Sequence, residues 1–255
     1  MKINTTARII YNKQVSNEYW NMKIYLPQIA KQASPGQFLT IQTSKTGSPL
    51  LRRPMSIHKL TSTSIEILYK VRGRGTNLLM QVKKGEELQV LGPLGHGFDT
   101  DIPFTTAILT GGGYGIAPLK ALHDLLKKKK KNIITIVGAR TAKLIYKEGF
   151  TGVRVSTEDG TAGIKGLLTK ALEKACCSNL KGPAAIFACG PDKMLQAVAG
   201  VAAKYGLPCQ VSLEKMMGCG IGVCLSCACR LEKGGLARVC VDGPVFDAKE
   251  IKWNN

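Results

Sequence analysis

Long apolar runs are missing from this sequence. The most continuous stretches, such as Ile133 to Ala139, fall far short of the roughly 20 residues that a membrane-crossing helix needs, so no span is expected. The amino-terminal residues also lack the unbroken apolar core of a secretory signal. Export is therefore not expected, and a cytoplasmic, reducing setting is. Aromatic residues are scarce at 6%, and no lysine stripe is interleaved with them, which argues against a nucleic-acid surface built on base stacking. Acidic residues are few, 17 against 36 Lys and Arg, for a formal net charge of +19. The basic excess is spread along the chain with one dense run, Lys127 to Lys131. That run reads as the solvated end of a helix, where positive charge complements the dipole. Internal repeats are absent, and no cysteine precedes Cys176.

What is present suffices for a well-packed globular protein. The 255 residues are 44% hydrophobic, which excludes disorder and collagen-like composition. At roughly 100 to 200 residues per domain, the length suggests one large or two modest domains. Residues 1–100 alternate short apolar-polar segments with Gly, Pro and Ser clusters: Ala7 to Tyr11, Trp20 to Leu26, Phe38 to Gln42, Ser64 to Val71 and Glu87 to Leu91. Such spacing predicts an antiparallel β-barrel or sandwich, and Ile65 to Val71 alternates as a half-buried strand. From about Asp101 the pattern changes. Strands are expected at Phe104 to Thr110, Asn132 to Gly138 and Ala184 to Cys189, and helices at Pro118 to Lys131, Gly163 to Cys176 and Pro191 to Tyr205. This alternation predicts an α/β domain with a parallel sheet over residues 101–209. A third segment, residues 210–255, carries most of the cysteines.

Nine cysteines in a reducing compartment read as buried thiols, catalytic groups or metal ligands rather than a disulfide framework. Five of them fall between Cys219 and Cys240. Cys219, Cys224 and Cys227 have C-x4-C-x2-C spacing, with Cys240 thirteen positions further on, the plant-type pattern for a [2Fe-2S] cluster. Soft thiolate sulfur suits iron, and four such ligands complete two tetrahedral sites. Gly218, Gly220 and Gly222 supply the backbone freedom for a tight wrap. Zinc is the rival, but its doubled C-x2–4-C pairing is matched by only half of this set. Cys229 would share a face with Cys227 in an extended segment and so stands as a substitute ligand. Cys176, Cys177 and Cys209 lack ligand spacing.

Two nucleotide signals follow, the first an ordered pair of motifs, with a later strand-to-helix junction beside the second. Arg52-Arg53-Pro54-Met55-Ser56-Ile57 stands between two short strands, where an arginine fork can hold a diphosphate and a serine can bond a flavin edge. The plain alternative is a strand connection. Gly73-Arg74-Gly75-Thr76-Asn77 opens a helical segment whose free amides favour phosphate, or is a glycine turn with Thr76 as cap. Their order points to a flavin dinucleotide. The second signal is Thr110-Gly111-Gly112-Gly113-Tyr114-Gly115-Ile116-Ala117-Pro118, between a strand and a helix, where glycines let the chain approach a pyrophosphate. Pro118 stands in place of the usual third glycine, and the acid expected about 20 residues on is missing. Arg140 ends the next strand instead, so the sequence leaves NADH against NADPH open. Cys189-Gly190-Pro191 lies at a later strand-to-helix junction, where ligands of parallel sheets bind.

Taken in order, Arg53-Pro54-Met55-Ser56, Gly73-x-Gly75-Thr76, Gly111 to Pro118 and Cys189-Gly190-Pro191 resemble the ferredoxin-NADP reductase superfamily. Glu214 to Cys224, with Cys240-Val241-Asp242-Gly243-Pro244-Val245-Phe246, is similar to one branch, the electron-transfer subunits of class 1B dihydroorotate dehydrogenase. The resemblance implies an FAD-binding barrel, a nicotinamide-binding domain and a small C-terminal [2Fe-2S] module. It implies FAD contacts at Arg53, Pro54, Met55, Ser56, Leu68, Tyr69, Lys70, Gly75 and Thr76. Met55 replaces an aromatic residue often found in the wider superfamily. Nicotinamide contacts would fall at Gly112, Gly113, Gly115 and Cys189, and cluster ligands at Cys219, Cys224, Cys227 and Cys240. The implied partner is an FMN-containing catalytic subunit, two of each forming a heterotetramer, which oxidises dihydroorotate while this chain delivers electrons to NAD(+). No catalytic acid or base is expected on this chain. The alternatives are a reductase subunit serving ferredoxin, sulfite reductase or a hydrogenase and, from a different class, a basic nucleic-acid-binding protein.

Overall fold

The computed structural model describes residues 2–44, 46–178 and 180–253. The first part is a curled antiparallel sheet of seven strands, β1 (Ile3–Gln14), β2 (Trp20–Tyr25), β3 (Phe38–Ile41), β4 (Arg53–Ser56), β5 (Lys59–Leu60), β6 (Ser64–Tyr69) and β7 (Glu87–Leu94), in the order β4-β3-β7-β1-β2-β6-β5. Helices α1 (Pro27–Ala30) and α2 (Arg74–Gln81) fill its connections. Its core is aliphatic, with Ile9, Met22, Ile24, Leu39, Ile41, Ile65 and Ile67 all sealed from solvent.

Two sequence expectations change here. The Arg53 to Ser56 segment is not a connection between strands but a strand itself, with Pro54 opposite Thr40 and Met55 opposite Leu39. Its place at the sheet edge explains why a residue without an N–H is tolerated. β6 is buried along its whole length rather than on one face. Glu66 is held in that setting by Asn21 Nδ2 at 3.3 Å, Lys59 at 3.6 Å and Lys23 at 3.9 Å, which satisfies a carboxylate that burial would otherwise penalise.

The second part is built on β8 (Thr106–Gly112), β9 (Asn132–Ala139), β10 (Val153–Thr157), β11 (Ile164–Lys165), β12 (Ala184–Cys189) and β13 (Cys209–Ser212), all parallel, in the order β11-β10-β9-β8-β12-β13. Helices α3 (Leu119–Lys128), α4 (Leu168–Cys176) and α5 (Asp192–Lys204) cover it. The lysine run closes α3 as expected, Lys127 and Lys128 lying in its last turn. The helix expected from Gly163 starts only at Leu168. Gly163 and Gly166 have φ of +67° and +120°, which breaks a helix, and Ile164-Lys165 pairs with β10 instead.

The cysteine segment folds as a loop, the hairpin β14 (Ala228–Arg230) and β15 (Leu236–Arg238), and a return strand β16 (Val245–Asp247) that pairs antiparallel with β13. The expected boundary at 209/210 therefore falls inside β13, and the α/β sheet runs on to Ser212 before the cysteine segment begins. Among the described residues that segment has no core of its own. Cys227, Val239, Cys240 and Ile251 share one apolar cluster with Ile186, Leu195 and Val211 of the α/β sheet and with Phe38 and Leu94 of the first sheet.

Candidate functional site

In the order of the second sheet, β8 is flanked by β9 on one side and β12 on the other, so the crevice at their carboxyl ends is a topological switch point. There the glycine loop meets Cys189 and Gly190. A β-carbon on Gly115 would lie 2.4 Å from the Cys189 carbonyl oxygen, and one on Gly112 would lie 2.3 Å from Met194 Sδ. Gly113 has φ of +55° and open space beside it. Two of these glycines thus serve close packing, and the third is required by its left-handed backbone. The loop continues as a 3-10 turn, Gly113–Ile116, before α3.

A cavity of about 710 Å³ joins this crevice to the first sheet. Pro54, Met55 and Ser56 of β4, Leu68 and Tyr69 of β6, Lys70, and Thr76 of α2 line one side. Gly190 and Pro191 line another, and Glu214 to Met217 close it. Residues as far apart in sequence as Phe38 and Pro244 therefore face one space. Arg53 and Gly75 lie beside it in mutual contact, because a β-carbon on Gly75 would stand 2.3 Å from Arg53 Nε. Thr76 also caps α2, its hydroxyl accepting from the amides of Arg72 at 2.9 Å and Gly73 at 3.2 Å. Tyr69 donates its phenol to Asn12 Oδ1 at 2.8 Å, and Lys70 pairs with Glu18.

Several lining residues escaped the sequence reading: Phe38, Arg72, Tyr114, Ala117, Glu214 and Pro244. Arg72 directly precedes the Gly73 motif and Tyr114 sits within the glycine loop, so adjacency was the available signal. The Arg72 guanidinium lies 4.7 Å from the Tyr114 ring centre. Burial raises the Glu214 carboxyl above its ordinary range, and the Tyr114 hydroxyl and Arg72 charge only partly offset this. Burial, reinforced by Glu214, pushes the Tyr114 phenol up to about 12. Cys189, 1% exposed, is held well above the usual thiol range by burial and then by Glu214. The floor of the crevice thus favours uncharged groups, while Lys70, Arg72 and Lys193 bring positive charge to the walls, the sign that diphosphates need.

The four expected ligand cysteines come together in two pairs. The Cys219 amide lies 3.4 Å from Cys224 Sγ, and Cys227 is close enough to Cys240 to raise its thiol. The amides of Ile221, Val223 and Cys224 point at Cys219 Sγ from 3.4, 3.3 and 3.5 Å. Against a burial that raises it, these amides bring the Cys219 thiol down. Cys224 is lowered to about 6, chiefly by Ser226, while burial and Cys227 push Cys240 up to about 12. Gly220 and Gly222, at φ of +70° and +91°, permit the loop that aims these amides inward. Among the described residues no three of these side chains converge on a single point; the arrangement is one of two thiol pairs, whose donor chemistry suits a two-iron cluster. Cys229 instead lies in β14 opposite Ala237, buried in the hairpin.

Three comparisons place the chain. A family model described as the iron-sulfur cluster binding domain of dihydroorotate dehydrogenase B matches residues 214–252. The chain is 38% identical over 98% of its length, and 99% of the relative's, to the dihydroorotate dehydrogenase B (NAD(+)) electron transfer subunit of Caldanaerobacter subterraneus. It is 36% identical to the same subunit of Bacillus pumilus, over 95% and 96% of the two chains. Among solved structures it superposes on a chain of the NADH-dependent reduced ferredoxin-NADP oxidoreductase, studied for flavin-based electron bifurcation, with a TM-score of 0.86 and 30% identity over 97% of this chain and 90% of that one. A ferredoxin reductase of carbazole 1,9a-dioxygenase shares the fold at a TM-score of 0.68 and 20% identity, over 81% and 67% of the two chains. With a cavity that gathers both nucleotide motifs, paired thiols, and relatives matched from end to end, the chain belongs to the family of dihydroorotate dehydrogenase B (NAD(+)) electron transfer subunits.

Proposed function

We propose that this protein carries electrons from an FMN-containing catalytic subunit, which oxidises dihydroorotate in pyrimidine biosynthesis, through [2Fe-2S] and FAD to NAD(+). The observation that carries the reading is the single cavity shared by Pro54, Met55 and Ser56 of β4, by Gly190 and Pro191 just past the end of β12, and by the segment Glu214–Met217. That segment runs on to Cys219 after one residue, so one stretch of backbone borders both cofactor sites.

FAD supplies the change of electron count, exchanging a hydride with nicotinamide and single electrons with the cluster. The chain's own residues bind and orient. Arg53 and Thr76 would hold the dinucleotide phosphates, Ser56 and the β6 end would bond the ring edge, and Met55, Leu68 and Phe38 would exclude water. The Gly112, Gly113 and Gly115 loop would bring NAD(+) to the crevice opposite, where Glu214 presents a group that favours the uncharged state and Cys189 lies buried beneath it. Since positioning two rings in contact provides most of the rate, no side chain needs to carry a proton. Cys219 and Cys224 would hold one iron, Cys227 and Cys240 the other. In this reading residues 1–100 bind FAD, residues up to Ser212 bind NAD(+), and the remainder binds the cluster.

Ile221, Val223 and Leu225 are exposed around the ligand loop, Val223 by 75%. Three exposed apolar side chains within five residues point to a contact site, here for the catalytic subunit, two of each forming a heterotetramer. No helix among the described residues is long and apolar enough to cross a membrane, in keeping with a cytoplasmic assembly. The likeness to a ferredoxin-NADP oxidoreductase chain supports a second reading, a reductase serving another acceptor.

Anaerobic purification with the candidate partner tests both. The expected result is flavin and iron-sulfur absorption on this chain and dihydroorotate-dependent NADH formation by the complex. Absence of both absorptions after reconstitution would end the first reading, and co-purification with a different oxidoreductase would favour the second.

A further inference from the structure

His58 lies two residues beyond the flavin-motif strand β4 and is fully buried. Its backbone N–H donates to the Glu66 carbonyl at 2.8 Å, which fixes it to β6, the strand whose end lines the cavity. Its ring reaches the other half of the protein. Nδ1 stands 2.8 Å from the carbonyl oxygen of Ala117, the residue that follows the 3-10 turn of the glycine loop and itself lines the cavity.

A carbonyl oxygen can only accept, so Nδ1 carries the proton and donates. Nε2 is then the bare nitrogen, buried without a hydrogen-bond partner. A buried polar atom left in that state costs on the order of 1–3 kcal/mol, so the side chain is poorly matched to a merely space-filling role. Burial holds the imidazole down to about 4, which keeps the bond uncharged at neutral pH. Tyr146 of the α/β half meets the ring edge-on at 5.9 Å, fixing its plane. Within six residues, then, segment Arg53–His58 touches the flavin side of the cavity at one end and the dinucleotide loop at the other.

We propose that His58 is a positioning residue for hydride exchange, its Nδ1–H bond to Ala117 setting the separation between the flavin-binding strand and the glycine loop. The inference rests on the function proposed above. The hydride, one proton with two electrons, leaves one ring and arrives on the other, and a misplacement of about 1 Å costs roughly a hundredfold in rate. The bond acts on that separation and not on the affinity of either site.

The amide variants separate this role from bulk packing. Asparagine places its Nδ2 donor the same number of bonds from the backbone as His Nδ1, whereas glutamine places its donor one bond further out. His58→Asn is expected to reduce its flavin with saturating NADH within about threefold of the parent, and His58→Gln to be slowed by about tenfold or more, with FAD content and the iron-sulfur spectrum unchanged in both. A second readout needs no turnover: the long-wavelength absorbance of stacked nicotinamide and flavin rings, formed when NAD(+) is added to the reduced protein, should persist in H58N and fade in H58Q. Equal rates and equal absorbance in the two variants would overturn the proposal, as would parental rates in His58→Leu. A parent protein that binds no flavin would instead overturn the underlying function, which the FAD content reads separately.

Discussion

Cys189 Sγ lies 4.0 Å from Glu214 Oε1, a thiol and a carboxyl facing each other at the bottom of a crevice between two halves of the chain. Burial raises both groups, and the carboxylate adds to the rise of the thiol.

The pH dependence of stability follows from Glu214. Its folded-state value is raised, so between its ordinary value of 4.5 and that raised value the folded chain holds a proton the unfolded chain has released. Stability contributed by this residue is therefore present below 4.5 and lost as pH climbs through the raised value. Glu214→Gln should flatten this slope, so that the melting temperature of the variant gains on the parent as pH rises from 4.5. An identical slope in variant and parent would assign the dependence elsewhere.

Gly75→Ala should weaken FAD binding. The new methyl would meet Arg53 at 2.3 Å from Nε, and the arginine, not the backbone, would move. Loss of one charge-assisted hydrogen bond to phosphate is worth about 1.5–3 kcal/mol, roughly a tenfold to hundredfold rise in Kd, measurable by flavin titration of the apoprotein. The cluster should be untouched.

Legibility from sequence divides along the range of the interactions. The cluster-binding segment was readable because the four spaced cysteines lie within 22 residues and the pattern is local. Strand β12, Ala184 to Cys189, was readable to the residue because a short buried run is bounded by Pro183 and Gly190. β16 was not, since Val245–Asp247 becomes a strand only by pairing with β13, over 30 positions away. The same holds for Glu214 and Arg72, which become site residues only when two sheets close on one cavity. β4 was misread because Pro54 signals a turn, and only its edge position allows a strand.

Cys224→Ala should abolish the iron-sulfur signal in electron paramagnetic resonance while leaving FAD and NADH oxidation by an artificial acceptor in place. Loss of FAD with the cluster retained would contradict the division of labour between the two sites.

Val223→Glu with Leu225→Glu should leave both chromophores intact, since these side chains are 75% and 59% exposed. Affinity for the catalytic subunit should fall at least tenfold, about 1.4 kcal/mol, by calorimetry of the two purified chains. Unchanged affinity would move the docking surface away from the ligand loop.

The return strand β16 has a consequence for how the relay works. By joining the α/β sheet after the cysteine loop, it stitches the last module to the middle one at both ends, β13 before the loop and β16 after it, and Phe246 and Val211 lie in one shared core. The cluster module and the α/β domain are therefore expected to move as one body rather than as a swinging arm. Turnover should be set by the encounter with NAD(+) and by the partner's chemistry, and slowing large-scale motion with a viscous solvent should leave internal electron flow between the two cofactors unchanged.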